Sequence, residues 1–117
     1  MASARALGER REKQAKTFLR RRGLRIVETN FNSRFGELDI IATEKDCLVF
    51  VEVRYRAASQ FGDAAATVDT HKQRRLSLAA QGFLAAYPRF ASWTCRFDVI
   101  GIDDECITWL RDAFRPI

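Results

Sequence analysis

Asp39 and Glu52 are the residues of this chain best placed to do chemistry. Each lies inside an apolar, strand-like run, Gly36-Glu37-Leu38-Asp39-Ile40-Ile41 and Phe50-Val51-Glu52-Val53-Arg54. Acids embedded in a buried hairpin are costly unless something compensates their charge. A hard divalent cation such as Mg²⁺ does so with oxygen ligands, and needs only one or two carboxylates beside water and a substrate phosphate. Such an ion lowers the pKa of a bound water and stabilises charge on a scissile phosphate. Arg54 adds a cation two residues after Glu52, on the same strand face. The plainer reading makes both acids solvent-facing edge residues, with Arg54 a simple salt-bridge partner.

Other chemistries have little material. His71 is the only histidine, which leaves His-based triads and zinc sites almost nothing to use. Cys47, Cys95 and Cys106 are odd in number and lack C-x-x-C spacing. That argues against a disulfide framework or a zinc site and fits a reduced, cytoplasmic setting. No apolar run approaches the roughly 20 residues needed to cross a bilayer, and the first residues lack the apolar core of a secretory signal.

The elements that would position the acids can be read from periodicity. Leu7, Ala15, Phe18 and Leu19 trace a helical stripe over residues 7–22, and Gly23 is a natural stop. Residues 24–31 read as a strand. Residues 36–43 and 47–55 read as a hairpin turning at Glu44-Lys45-Asp46. Residues 56–66, small and polar with Gly62, read as a mobile loop. A helix follows over about 70–87, with capping-box spacing from Thr70 to Gln73 and Pro88 just beyond it. Residues 95–102 and 105–110 read as a last hairpin turning at Asp103-Asp104. The order is αβββαββ, one α/β domain over residues 1–117 with a central mixed sheet flanked by helices.

Strand alternation sharpens the hairpin. If Asp39 stands opposite Glu52, then Glu37 falls opposite Arg54. Glu37, Asp39, Glu52 and Arg54 then share one face with Ile41, Leu48 and Phe50. Leu38, Ile40, Ala42, Val49, Val51 and Val53 fill the other. A slip of one residue would separate the two sets. Facing acids destabilise a sheet, and burial would raise one pKa until the pair held a proton. A bound metal ion reverses that.

The net charge of +5 is unevenly placed. Residues 5–25 hold nine basic side chains against Glu9 and Glu12, so that segment is +7. Such a surface is an electrostatic footprint for a polyanion, nucleic acid first among them. Arg10, Arg11, Lys13, Arg20, Arg21 and Arg22 are the candidate contacts to phosphate. The plain alternative is a solvated helix face supported by Glu9–Lys13 and Glu12–Lys16 pairs. Phe35, Tyr55 and Phe61 flank the hairpin, where aromatics either stack on bases or pack.

Gly8, Glu12, Ala15, Gly23, Asn30, the run Gly36 to Ala42, the run Val49 to Arg54, Lys72 and Arg96-Phe97-Asp98-Val99 together resemble the bacterial YraN-like family, over about residues 8–102. That family resembles the restriction-endonuclease-like superfamily, archaeal Holliday junction resolvases in particular. The resemblance implies a Mg²⁺- or Mn²⁺-dependent DNA endonuclease, with branched DNA as a substrate and a homodimer as the working form. It assigns Glu12 as the helix acid, Asp39 and Glu52 as metal ligands, and the Val53 carbonyl as a further ligand. Arg54 stands where the superfamily has lysine. Arginine stays protonated, so it can stabilise phosphate charge but not serve as a base. Lys72, at the start of the stripe Lys72-Leu76-Ala80-Phe83-Tyr87, is the stand-in; its plain reading is a packed stem with a solvated ammonium. Asp98 reads as structural and His71 as a helix-start residue. The rival function is a non-catalytic nucleic-acid-binding module that retains the nuclease fold.

Overall fold

The chain folds in the αβββαββ order, described here from a computed structural model over residues 3–55, 68–103 and 106–115. Helix α1 (Ala4–Arg21) is followed by strands β1 (Arg25–Ser33), β2 (Gly36–Glu44) and β3 (Cys47–Tyr55). Helix α2 (Thr70–Ala86) and a 3-10 turn (Pro88–Phe90) lead to β4 (Thr94–Ile102) and β5 (Ile107–Phe114). The expected loop at 56–66, with Phe61 and Gly62, and the turn residue Asp104 lie outside the described residues.

Local chemistry explains where the helices begin and end. Ser3 caps α1 by accepting from the Ala6 N–H at 3.1 Å, so the helix starts before the apolar stripe that announced it. At its other end Gly23 takes φ +91°. The Leu24 N–H donates to the Leu19 carbonyl and the Gly23 N–H to that of Arg20. This is a Schellman closure, and Leu19 and Leu24 are both buried beneath it. The cap of α2 differs from the expected box. Asp69, not Thr70, is the capping residue, accepting from the Lys72 N–H at 2.8 Å. Gln73 reaches back past it to the Val68 carbonyl at 2.9 Å. A carboxylate is the stronger N-cap acceptor, and it moves the start by one residue.

The five strands form one sheet in the order β1-β2-β3-β4-β5. Only the β3–β4 pair is parallel, because α2 carries the chain across the sheet between those strands. Two apolar clusters cover its faces. One joins α1, through Ala15 and Leu19, to Ile40, Ala42, Val49, Val51 and Ile100. The other joins α2, through Leu76, Ala79 and Phe83, to Leu38, Ile41, Leu48, Phe50 and Phe97.

Leu38 corrects the expected alternation. It packs with Ile41 on the α2 side rather than with Ile40. The cause sits on the neighbouring strand. Asn30 of β1 adopts φ +54°, between the pairs Thr29↔Ile40 and Phe31↔Leu38. Glu28 and Phe31 both reach α2, at Tyr87 and Phe83, while Asn30 reaches α1. The pleat therefore resets at Asn30 on β1 and at Asp39 on β2.

Asp98 is structural, as expected. It is fully buried and binds Arg96 at 2.9 Å, the Trp109 indole N–H at 2.9 Å and the Asp112 N–H at 2.8 Å. Arg96 also reaches Glu44 at 2.9 Å, and Arg111 reaches Glu44 at 2.6 Å. This network carries β5 four residues past its expected end, to Phe114. Asp98→Ala would leave Arg96 with Glu44 alone and two N–H donors without their acceptor. The expected cost is about 3 kcal/mol, measured as a lower urea midpoint at unchanged m-value.

Candidate active site

Antiparallel pairing of β2 with β3 runs from Glu44↔Cys47 to Ile40↔Val51. One further step in that register sets Asp39 opposite Glu52, the alignment expected from the hairpin. Here the Val53 N–H donates to Asp39 Oδ2 at 2.9 Å, so a side-chain carboxylate stands in for a backbone ladder bond. The two strands fork at this point. β2 continues with β1 as far as Gly36, and β3 continues with β4 as far as Tyr55.

Asp39 is half-buried, and its pKa is pushed up from 3.8 to about 7. Burial is the main cause and the negative charge of Glu52 the next. The Val53 N–H and Lys72 oppose the shift, while Glu37 adds to it. Glu52 is buried, at 7% exposure. Lys72 Nζ lies 3.3 Å from Glu52 Oε1 and Arg54 Nη1 3.7 Å from the same oxygen. Lys72 comes from the first turn of α2, where the Asp69 cap fixes the backbone. Lys72 and Arg54 thus both serve Glu52, on the α2 side of the sheet.

Two recesses meet at the fork. The wider, about 660 Å³, lies against α1 and is bordered by Arg11, Glu12, Asn30, Glu37, Asp39, Val53 and Tyr55. The narrower, about 160 Å³, lies against α2 and is bordered by Phe35, Glu37, Asp39, Glu52, Lys72 and Arg75. Asp39 and Glu37 border both. Glu12 turns toward the sheet, where Asn30 Nδ2 donates to its Oε1 at 2.9 Å. Five expected side chains, Glu12, Asp39, Glu52, Arg54 and Lys72, therefore gather around the fork, with the first and the last two on opposite faces. His71 is exposed on α2.

The basic helix divides, where the sequence suggested one surface. Arg11 lies against the wide recess, its guanidinium 3.5 Å from the Tyr55 ring centroid. Arg10, Lys13, Arg21 and Arg22 border a separate groove of about 650 Å³ on the other flank of α1, with Phe18 and Ile107. Arg20 is exposed. The reason is angular: with 3.6 residues per turn, a cationic run from Arg10 to Arg22 must wrap the helix. Sequence reasoning did not pair Arg11 with Tyr55, nor Asn30 with Glu12. Asn30 did carry a signal, since Asn is among the few residues at ease with positive φ.

The donors at the fork suit a small hard cation. Among the described residues no group of three or more His, Cys, Asp or Glu side chains is gathered to cage a metal. Two carboxylates on neighbouring strands, with the Val53 backbone beside them, match an ion that keeps water and substrate oxygens in its shell. The raised pKa of Asp39 is the strain that such an ion would relieve.

A family model described as "Uncharacterised protein family UPF0102" matches residues 11–102, in keeping with the YraN-like resemblance. A UPF0102 protein of Xanthomonas campestris is 51% identical over 106 residues, covering 89% of this chain and 87% of that protein. Those of Nitrosococcus oceani and Alcanivorax borkumensis are 45% and 44% identical, each covering 97% of this chain and 95% of the relative. Among the described residues no helix is long and apolar enough to cross a membrane.

The shift of Asp39 has a definite sign. Between pH 4 and 7 the folded state holds a proton that the unfolded state has released, so this group's contribution to stability falls as pH rises through that window. Asp39→Asn removes the dependence. In buffer with a chelator, urea melts should show the variant more stable than wild type by about 2 kcal/mol at pH 8 and little changed at pH 4.

Proposed function

The chain belongs to the uncharacterised UPF0102 family, and we propose that it is a divalent-metal-dependent DNA endonuclease working at the β2–β3 fork. The observation that carries the reading is the closeness of two carboxylates where the strands part: Asp39 accepts from the Val53 N–H next to Glu52 and feels the charge of Glu52, at the border of a recess wide enough for a nucleotide. Asp39, Glu52 and the Val53 carbonyl would hold Mg²⁺ or Mn²⁺. Bound there, the ion supplies an acidified water and stabilises phosphoryl charge.

The chain's own groups divide the remaining work. Lys72 orients Glu52 by its ion pair, and it is the lysine at the fork that stands in for the one replaced by Arg54. Arg54 holds the same carboxylate with a fixed charge. Its position beside Glu52 supports a role in aligning that ligand rather than in accepting a proton. Glu12, held by Asn30, adds an acid on the α1 side. Arg11 faces the incoming phosphate, while Arg10, Lys13, Arg20, Arg21 and Arg22 draw the polyanion toward α1 through screened, long-range attraction. Branched DNA as the preferred substrate, and a homodimer as the acting form, belong to the same proposal.

Cleavage of linear, flapped and four-way DNA with Mn²⁺ tests the reading. Asp39→Asn and Glu52→Gln should abolish cutting, and should abolish the Mn²⁺ heat seen by calorimetry. Absence of metal binding in the wild type, with or without DNA, would sink the proposal. Salt-sensitive DNA binding without cleavage would leave the non-catalytic module.

The two neighbouring cations should separate kinetically. Lys72→Met should lower kcat about 100-fold. Arg54→Lys, which keeps the ion pair to Glu52, should stay within a fewfold of wild type. The reverse order would return the lysine role to position 54.

A further inference from the structure

The wide recess holds a feature that phosphodiester hydrolysis alone does not require. Tyr55 is a large ring left 36% exposed at the end of β3. The Arg11 guanidinium lies 3.5 Å from its centroid, and both border the recess beside Asp39. The recess volume of about 660 Å³ falls in the range of sites that enclose small ligands. The recess at Glu52 and Lys72, about 160 Å³, does not. The α1 side is therefore the roomier approach to Asp39, and it is lined by Arg5 and Arg11 rather than Arg54.

The chemistry there is specific. An aromatic face stacks on a nucleobase of any sequence, and a guanidinium forks onto phosphate oxygens. With no cation at Asp39 the recess is a poor anion trap. Glu9, Glu12, Glu37 and Asp39 border the same space as Arg5 and Arg11. A phosphate alone then meets net negative charge, and a stacked base adds a contact that does not depend on that charge.

We propose that this recess binds a single unpaired nucleotide, its base taking the place of the Arg11 guanidinium on the Tyr55 ring and its phosphate held by the Arg11 so released, toward Asp39. A base inside a continuous duplex cannot present its face to a side chain. The recess thus selects single strands, ends and flaps over uninterrupted duplex. The inference takes the orientation of the phosphate from the nuclease reading, while binding of the nucleotide itself stands without cleavage.

Calorimetry on the full chain with Mg²⁺ tests it, using dTMP and 2-deoxyribose 5-phosphate as probes that carry no phosphodiester to cut. dTMP should bind about tenfold tighter than the sugar phosphate. Tyr55→Leu should erase that difference, and Tyr55→Phe should keep it. Arg11→Leu should weaken both probes alike. Equal or absent binding of the two probes by wild type overturns the proposal. So does a Tyr55→Leu variant whose melting temperature falls while its preference for dTMP persists, since the ring would then only pin α1 to β3. Failure of the DNA cleavage assay with the dTMP preference intact removes the nuclease chemistry and keeps this site. Cleavage that proceeds with no base preference keeps the chemistry and removes the site.

Discussion

The hydrogen bond from the Val53 N–H to Asp39 Oδ2, 2.9 Å long, is the contact around which the rest of the site is arranged. It ends the β2–β3 ladder with a side chain instead of a backbone carbonyl, and so opens the sheet without orphaning a buried donor. It also fixes the carboxylate on the line between two recesses. The same bond is stronger to an ionised acceptor, yet burial and Glu52 together outweigh it and leave the acid's pKa raised. The fork is held by a group whose charge the fold resists.

The two faces of the sheet supply different things to that group. The α2 face brings a lysine and an arginine to Glu52, which neutralises one acid of the pair from below. The α1 face brings further acids and a stacked arginine. One acid is thus compensated within the protein and the other is not. That asymmetry is what a site needs if a cation is to be bound by the uncompensated member and aligned by the compensated one.

Much of this was legible in the sequence because the hairpin is short and apolar. With Lys45 and Asp46 at the turn, only one register buries both hydrophobic sets, and that register, ending at Ile40↔Val51, leads Asp39 toward Glu52. The helices declared themselves through Ala15, Leu19, Leu76 and Phe83, whose spacing is that of buried stripes. Leu38 was misplaced because strict alternation cannot anticipate a left-handed residue on the neighbouring strand. The cap of α2 was misplaced because two adjacent residues, Asp69 and Thr70, both suit the position. The split of the basic helix, and the Arg11–Tyr55 stack, depend on how α1 is rotated against the sheet. Tertiary packing decides that rotation, and composition does not report it.

The outer strands carry irregularities of the same kind. β1 has a register shift between Ile26 and Glu28 and a left-handed residue at Asn30. β5 meets a shift between Phe97 and Val99 and carries Asp112 at φ +51°. A smooth outer strand is a template on which another chain can add its own. Both margins of this sheet are bent out of that template, which guards a small, strand-rich protein against edge-to-edge growth into fibrils.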